Sequence, residues 1–68
     1  MKIKIFDSTA ISVAKMDNTT LTIHFTSGGI YKYFDVPEEE SNGLFAASSA
    51  GHYYSTKIRG KYKTERVK

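Results

Sequence analysis

The strongest candidate for a binding surface is the stretch of residues 57–68, which holds six bases and a single acid, Glu65. A row of cations with nearby tyrosines can neutralise phosphates while the aromatic rings stack on bases. The whole chain of 68 residues carries a net charge of only +3, so this basic excess is local. The stretch is predicted to bind nucleic acid through Lys57, Arg59, Lys61, Tyr62, Lys63 and Arg66.

An extended backbone would arrange these cations in a row. Successive side chains of a strand point to opposite faces, so the bases at positions 57, 59, 61 and 63 would share one face. Such a row suits contacts to phosphates rather than readout of base sequence. Tyr53 or Tyr62 would supply a stacking ring, and the competing interpretation is that both tyrosines belong to the core. Lysines also protect exposed edge strands from aggregation, which is a second alternative for the row.

The other polar residues form no pattern typical of an enzyme. The two histidines, His24 and His52, are far apart in sequence, and two histidines without cysteine do not make a zinc motif. Ser48 and Ser49 fall in a predicted helix rather than in the sharp turn that exposes a nucleophilic serine. The chain is therefore predicted to be no enzyme, with no cofactor, no metal and no small-molecule substrate.

Residues 1–36 are predicted to form an antiparallel meander of three strands. Leu21, Ile23 and Phe25 alternate with polar residues, which makes residues 20–25 the clearest strand. Residues 8–16 carry Ile11 and Val13 at the same period, and residues 30–34 supply the third strand. Residues 2–5 also alternate, and either a short strand or an arm is consistent with them.

The turn at residues 27–29 decides which side chains of the third strand face the core, because a one-residue slip reverses every side chain. A two-residue loop would turn Lys32 inward. A three-residue loop with Gly29 at positive φ would instead pair Phe25 with Tyr31 and Ile23 with Tyr33. We favour the longer loop, since it leaves the lysine outside.

A change from strand to helical periodicity follows at Val36-Pro37. Proline suits the first helical position, and the glutamates at positions 38–40 meet the positive end of the helix dipole. The helix is predicted to run from near Pro37 to near Ala50, with Gly43 allowing close approach to the sheet. A short second helix is predicted over residues 52–57, and residues 61–67 are candidates for a final strand.

These elements predict one α+β domain over residues 1–68, in which an antiparallel three-stranded meander packs on one helix. The absence of cysteine excludes disulfides, and the absence of a long apolar run argues against a signal peptide or membrane span. A cytoplasmic location without membrane contact is predicted. The predicted core is Val13, Leu21, Ile23, Phe25, Tyr31, Tyr33, Leu44, Ala47, Tyr54 and Ile58.

Several of these residues, taken in order, resemble the KTSC domain, a short module found at the C-terminus of some lysyl-tRNA synthetases and alone in bacterial and phage-type proteins. The resemblance runs from about Ser8 to Tyr62. Its elements are Leu21-x-Ile23-x-Phe25, Gly28, Tyr31-x-Tyr33, Val36-Pro37, Leu44, Ala47-x-Ser49-x-Gly51, and Ile58-Arg59 followed by Tyr62. Departures from the family pattern are Met16 in place of tyrosine, Glu40-Ser41 in place of an apolar pair, and Tyr54-Ser55 in place of Phe-Asn.

The resemblance implies no established activity, but the association with synthetases suggests RNA of the tRNA type as a partner. The leading prediction is a small non-catalytic binding module that contacts RNA through its basic C-terminal segment. The alternative is a protein-interaction module, or an accessory factor of a phage or bacterium, with the acidic residues 35–40 as its docking face.

Overall fold

An antiparallel sheet of five strands, with its helices on one face, forms the framework of the computed structural model, which describes residues 1–68. The strands lie in the order β1-β2-β3-β4-β5. Their bounds are Lys2–Ile5 (β1), Ile11–Asp17 (β2), Thr20–Phe25 (β3), Ile30–Tyr33 (β4) and Thr64–Arg66 (β5). The helices are α1 (Glu38–Ala46) and α2 (Ala50–Tyr53), and a π-helical segment, Tyr54–Ile58, continues α2.

The α+β class and the antiparallel order of the predicted strands are confirmed, but the sheet has two strands more than the predicted meander. Of the two structures considered for residues 2–5, a strand or an arm, the strand is present: it is β1, which pairs with β2. The candidate final strand is present but shorter, because residues 61–63 form a turn before β5 pairs with β4. Both added strands lie at the edges of the sheet, and all their residues are exposed. Strand β1 alternates but has only four residues, and β5 has three and no apolar residue, so neither carries a strong strand signal.

The core lies between the sheet and the helices. Ten apolar residues are buried there: Ile11, Ala14, Met16, Leu21, Ile23, Tyr33, Val36, Leu44, Ala50 and Ile58. Five of the predicted core residues are among them, and Phe25, Tyr31 and Tyr54 pack against the cluster while partly exposed.

Strand β2 contains an irregularity that reverses the predicted facing of its side chains. Ile11 pairs with Phe25, but the next pairing is Val13 with His24, so the register shifts between them. A bulge of this kind places two residues opposite one and breaks the two-residue period. Ala14 and Met16 therefore face the core, and the prediction of Val13 as a core residue is wrong.

The β3–β4 hairpin has a three-residue loop, as predicted, but the loop lies one residue earlier in the chain. Phe25 donates to the Gly29 carbonyl at 2.8 Å, so the loop is Thr26-Ser27-Gly28, and Gly28 rather than Gly29 has positive φ, at 110°. The register pairs Ile23 with Tyr31, two residues from the predicted pairing. A shift of two preserves the side-chain faces, so Tyr31 still points towards the core and Lys32 away from it.

The predicted long helix is interrupted. Helix α1 ends at Ala46, and Ala47 adopts an extended ψ of 141°. Ser49 then caps α2 by accepting a hydrogen bond from the His52 N–H at 3.3 Å. A serine at an N-cap satisfies a free backbone donor, which favours a new helix start over continuation of the old one. Ala47 is consequently a helix-terminal residue and not part of the buried core.

Val36 and Pro37 join the sheet to α1. The Val36 N–H donates to the Thr19 carbonyl at 2.9 Å, and the Val36 side chain is fully buried. Pro37 precedes the first helical residue and acts as the N-cap. None of the helices combines the length and hydropathy that crossing a membrane requires.

Candidate nucleic-acid interface

The predicted row of cations does not form, because the backbone between Lys57 and Lys63 is not extended. Lys57 lies in the π-helical segment, Arg59 caps its end, and residues 59–62 turn towards β5. The six predicted binding residues are consequently distributed over separate surfaces. Two of them contact Glu40, and two others meet at a depression beside β4 and β5.

Lys61 and Tyr62 bind Glu40, the last glutamate of the first turn of α1. The Lys61 ammonium and the Tyr62 hydroxyl donate to Glu40 Oε2 at 3.0 Å and 2.7 Å, and the Tyr53 hydroxyl donates to Oε1 at 2.7 Å. The Glu40 side chain is only 11% exposed. These contacts fasten the chain after the π-helical segment to α1, so Lys61 and Tyr62 have a structural role in this fold.

The hydrogen bonds of this cluster change the pKa values of its members in a consistent way. The Tyr62 hydroxyl, with help from Tyr53 and Lys61, holds the pKa of the Glu40 carboxyl below its ordinary value of 4.5. The hydrogen bond to Glu40 raises the pKa of Tyr53 to about 12 and also raises the pKa of the Lys61 ammonium. Burial, followed by the hydrogen bond to Glu40, raises the pKa of Tyr62.

Acidification is expected to weaken the fold through Glu40. A carboxyl with a lowered folded-state pKa contributes stability that is present above its unfolded pKa, near 4.5, and is lost as the pH falls through its folded pKa. Glu40→Gln should remove this part of the pH dependence. It should also lower the free energy of unfolding at pH 7 by about 1 kcal/mol, because the amide accepts weaker hydrogen bonds.

Urea unfolding from pH 7 to pH 3 measures this effect. The matched control is Glu39→Gln, which removes the same charge from an exposed neighbouring position. Identical pH profiles for the two variants would contradict a special contribution from Glu40.

Arg59 and Arg66 meet at a depression of about 390 Å³ beside the β3–β4 loop. Its lining residues are Phe25, Ser27, Gly29, Tyr31, Tyr54, Arg59 and Arg66. The pairing of β5 with β4 places Arg66 directly opposite Tyr31, and its guanidinium lies 5.7 Å from the centre of that ring. Arg59 reaches the same depression from the end of the π-helical segment.

The aromatic wall of this depression is tightly arranged. Phe25 packs edge-to-face against Tyr31 at 5.6 Å and against Tyr54 at 5.1 Å between ring centres. The Tyr54 hydroxyl hydrogen-bonds that of Tyr33 at 2.7 Å, and burial together with this contact raises the pKa of Tyr33. Edge-to-face packing holds each ring in one orientation, so the wall is preorganised.

No carboxylate side chain forms an ion pair with either arginine. The two salt bridges between side chains in the structure join Lys2 to Glu38 and Lys61 to Glu40. Arg66 donates from Nε to the backbone oxygen of Lys68 at 3.3 Å. Two such guanidinium groups beside aromatic rings form a site suited to a phosphate and a flat ring.

The remaining predicted cations lie elsewhere. Lys57 lines a different depression together with His52 and Thr56, and Lys63 is exposed in the turn before β5. The sequence interpretation identified the two arginines but assigned Phe25, Tyr31 and Tyr54 to the core. The alternation of Tyr31 and Tyr33 correctly predicted that both side chains lie on the same face of the sheet. Tyr31 is only partly buried, and it lies beside the short β5.

Nothing in the structure indicates a metal centre. No group of three or more His, Cys, Asp or Glu side chains is close enough to hold an ion.

Residues 7–62 match a family model, that of the KTSC domain. The chain is 44% identical over 48 residues to the lysine–tRNA ligase of Nostoc punctiforme, a match that covers 71% of this chain and 9% of the ligase. The ligase of Trichormus variabilis shows the same identity and coverage. The chain thus spans about a tenth of the length of these relatives.

Two further proteins match this chain over most of the length of both chains. A protein of Tsukamurella paurometabola is 32% identical over 59 residues, which are 84% of this chain and 88% of that protein. The crystal structure of a KTSC domain protein from Yersinia pestis superposes with a TM-score of 0.92 at 28% identity and covers 98% of this chain and 97% of the other.

Proposed function

This chain belongs to the KTSC domain family, and from that premise we propose that it is a small, non-catalytic module that binds RNA. The family resemblance predicted from the sequence motifs is confirmed by the match over residues 7–62. A similar segment occurs within proteins named lysine–tRNA ligase. That occurrence supports RNA, and tRNA in particular, as the class of nucleic acid.

The observation that carries the proposal is the convergence of Arg59 and Arg66 on one depression without a carboxylate side chain paired to either. Placing two cations together has an electrostatic cost, which a bound anion would lower. Guanidinium groups donate in a fixed planar geometry that matches phosphate oxygens. The depression therefore favours a ligand that carries a phosphate group.

The contacts would be made to the RNA backbone. Lys57 and Lys63 add positive charge outside the depression, and neither lies in an arrangement that could read the edges of bases. We assign Lys61 and Tyr62 a supporting role, because both donate hydrogen bonds to Glu40. Their contribution is to hold the chain that leads from Arg59 to Arg66.

A salt titration with tRNA and with a single-stranded RNA oligonucleotide tests the proposal. If two guanidinium groups each neutralise one phosphate of a single strand, log K should fall with log[salt] at a slope of about −1.4. Arg59→Gln combined with Arg66→Gln should abolish most of this dependence and weaken binding. Lys57→Gln combined with Lys63→Gln removes the same charge outside the depression and should leave most of the slope.

Absence of binding to either RNA at low salt, with the domain folded, would reject the proposed function. Equal losses in the two double variants would reject the depression as the centre of the interface. Thermal denaturation of every variant serves as the check on folding.

The open face of the sheet supports a second candidate, a protein-interaction module. Ile3 and Ile5 are 61% and 80% exposed, and the pairing of β1 with β2 places them on the face opposite the helices. The acidic docking face expected from the sequence is less suitable, because Glu38 lies 3.7 Å from Lys2 and Glu40 is covered. A protein-interaction module without affinity for RNA would show no binding in the salt titration with RNA.

A further inference from the structure

We propose that the depression between Arg59 and Arg66 is a subsite for one unpaired nucleotide of single-stranded RNA. The phosphate lies between the two guanidinium groups, and the base packs against the wall formed by Phe25, Tyr31 and Tyr54. This inference rests on the proposed function and adds the kind of RNA that is bound. It predicts that single strands and unpaired loops or ends are preferred to duplexes.

The size of the depression limits what it can hold. Its volume of about 390 Å³ lies at the lower end of the range of pockets for small molecules, about 300–1,000 Å³. One nucleotide is of that scale, whereas an RNA helix keeps its bases stacked and paired inside. A helix could touch the rim only through its phosphates and its 2′-hydroxyls. An aromatic wall would then have no base to contact.

The wall offers aromatic contacts to a base. Its three rings are held edge-to-face through Phe25, so their orientation is fixed before a base arrives. Arg66 already lies against the Tyr31 ring and offers a second flat surface at the same place. Bases of every type stack on aromatic rings and on guanidinium planes, so little sequence preference is expected.

Gly29 keeps the depression open next to Tyr31. A Cβ atom at this position would lie 3.0 Å from Cε1 of the Tyr31 ring, closer than ordinary contact. The ring would have to shift by a few tenths of an ångström to accept it. Gly29→Ala therefore changes the aromatic wall without changing charge, which makes it an independent probe of the subsite.

The experiment compares one RNA oligonucleotide in two forms, free and annealed to its complement. A 2-aminopurine within the oligonucleotide reports stacking by a change in fluorescence, and anisotropy reports affinity. The single strand should bind more tightly and its 2-aminopurine should be quenched on binding. Tyr31→Leu should weaken single-strand binding roughly 5- to 100-fold and abolish the quenching, whereas Tyr31→Phe should retain both.

The outcomes separate this inference from the proposed function. Equal affinity for both forms, still lost in Arg59→Gln with Arg66→Gln, would overturn the subsite and leave RNA binding in place. No binding of either form would overturn both. If Tyr31→Leu fails to fold, Gly29→Ala replaces it, and quenching unchanged in that variant would overturn the subsite.

Discussion

Leu44→Ala is expected to lower the free energy of unfolding by about 2–5 kcal/mol, the range found for large-to-small changes at buried sites. Leu44 is fully buried and is the one apolar side chain of α1 in the central core cluster. Its removal leaves a cavity beneath a helix that is only nine residues long. A small domain has a total stability of about 5–15 kcal/mol, so a loss of this size threatens the fold.

Urea denaturation monitored by circular dichroism measures this change. Ile5→Ala is the matched control, because it truncates a similar aliphatic side chain that is 80% exposed. The control should change stability by no more than about 0.5 kcal/mol. An unchanged midpoint for Leu44→Ala would show that α1 does not depend on this contact.

Gly43→Ala is expected to destabilise the fold, although alanine is normally the better helix residue by about 1 kcal/mol. A Cβ atom at position 43 would lie 2.7 Å from Cζ of Tyr53 and would collide with the Tyr53 hydroxyl. The glycine was expected to allow approach to the sheet, but the group that it admits is a tyrosine of α2. Overpacking of this kind costs about 1–3 kcal/mol. Displacing Tyr53 would also break its hydrogen bond to Glu40.

A double-mutant cycle with Tyr53→Ala identifies the cause. With the ring absent, Gly43→Ala should be neutral or stabilising by up to about 1 kcal/mol, since only helix propensity remains. The same loss of stability in both backgrounds would contradict the proposed collision. The measurement compares the free energies of unfolding of the wild type, the two single variants and the double variant.

Both substitutions lie in α1, a short helix with few apolar residues. Leu44 packs α1 against the core, and Gly43 lets Tyr53 of α2 approach closely. Glu40 accepts a hydrogen bond from Tyr62 in the chain before β5. Destabilising α1 is therefore expected to disturb the segment that leads to Arg59 and Arg66. RNA binding by the variants should be compared only at temperatures at which they are folded.

Local patterns in the sequence were sufficient to identify the three central strands and the start of α1. Alternation marks residues 20–25 because the apolar residues Leu21 and Ile23 share the face that packs on the core, while polar residues occupy the other face. The proline and the following glutamates mark the start of α1 through backbone and dipole effects that act within one turn. The KTSC motifs are likewise local patterns, and the family match confirms them.

The sequence interpretation missed the bulge in β2 and the break between α1 and α2. A bulge depends on how two strands pair, so the period of Ile11 and Val13 alone predicted the wrong face for Val13. Helix propensity changes little from Ala46 to Ala50, and the capping contact of Ser49 decides where the second helix begins. The bulge thus follows from the pairing of two strands, whereas the start of α2 follows from a local contact between Ser49 and His52.

The sequence by itself determined that the chain has a basic C-terminal segment and an aromatic strand; the tertiary structure decided which of their residues form a site. Charge and side-chain type belong to single residues and are visible in the chain. The meeting of Arg66 with Tyr31 requires β5 to pair with a strand over thirty positions earlier. Lys61 and Tyr62 can donate hydrogen bonds to Glu40 only because the fold places Glu40 next to them. Such proximity between distant segments arises only when the whole core packs.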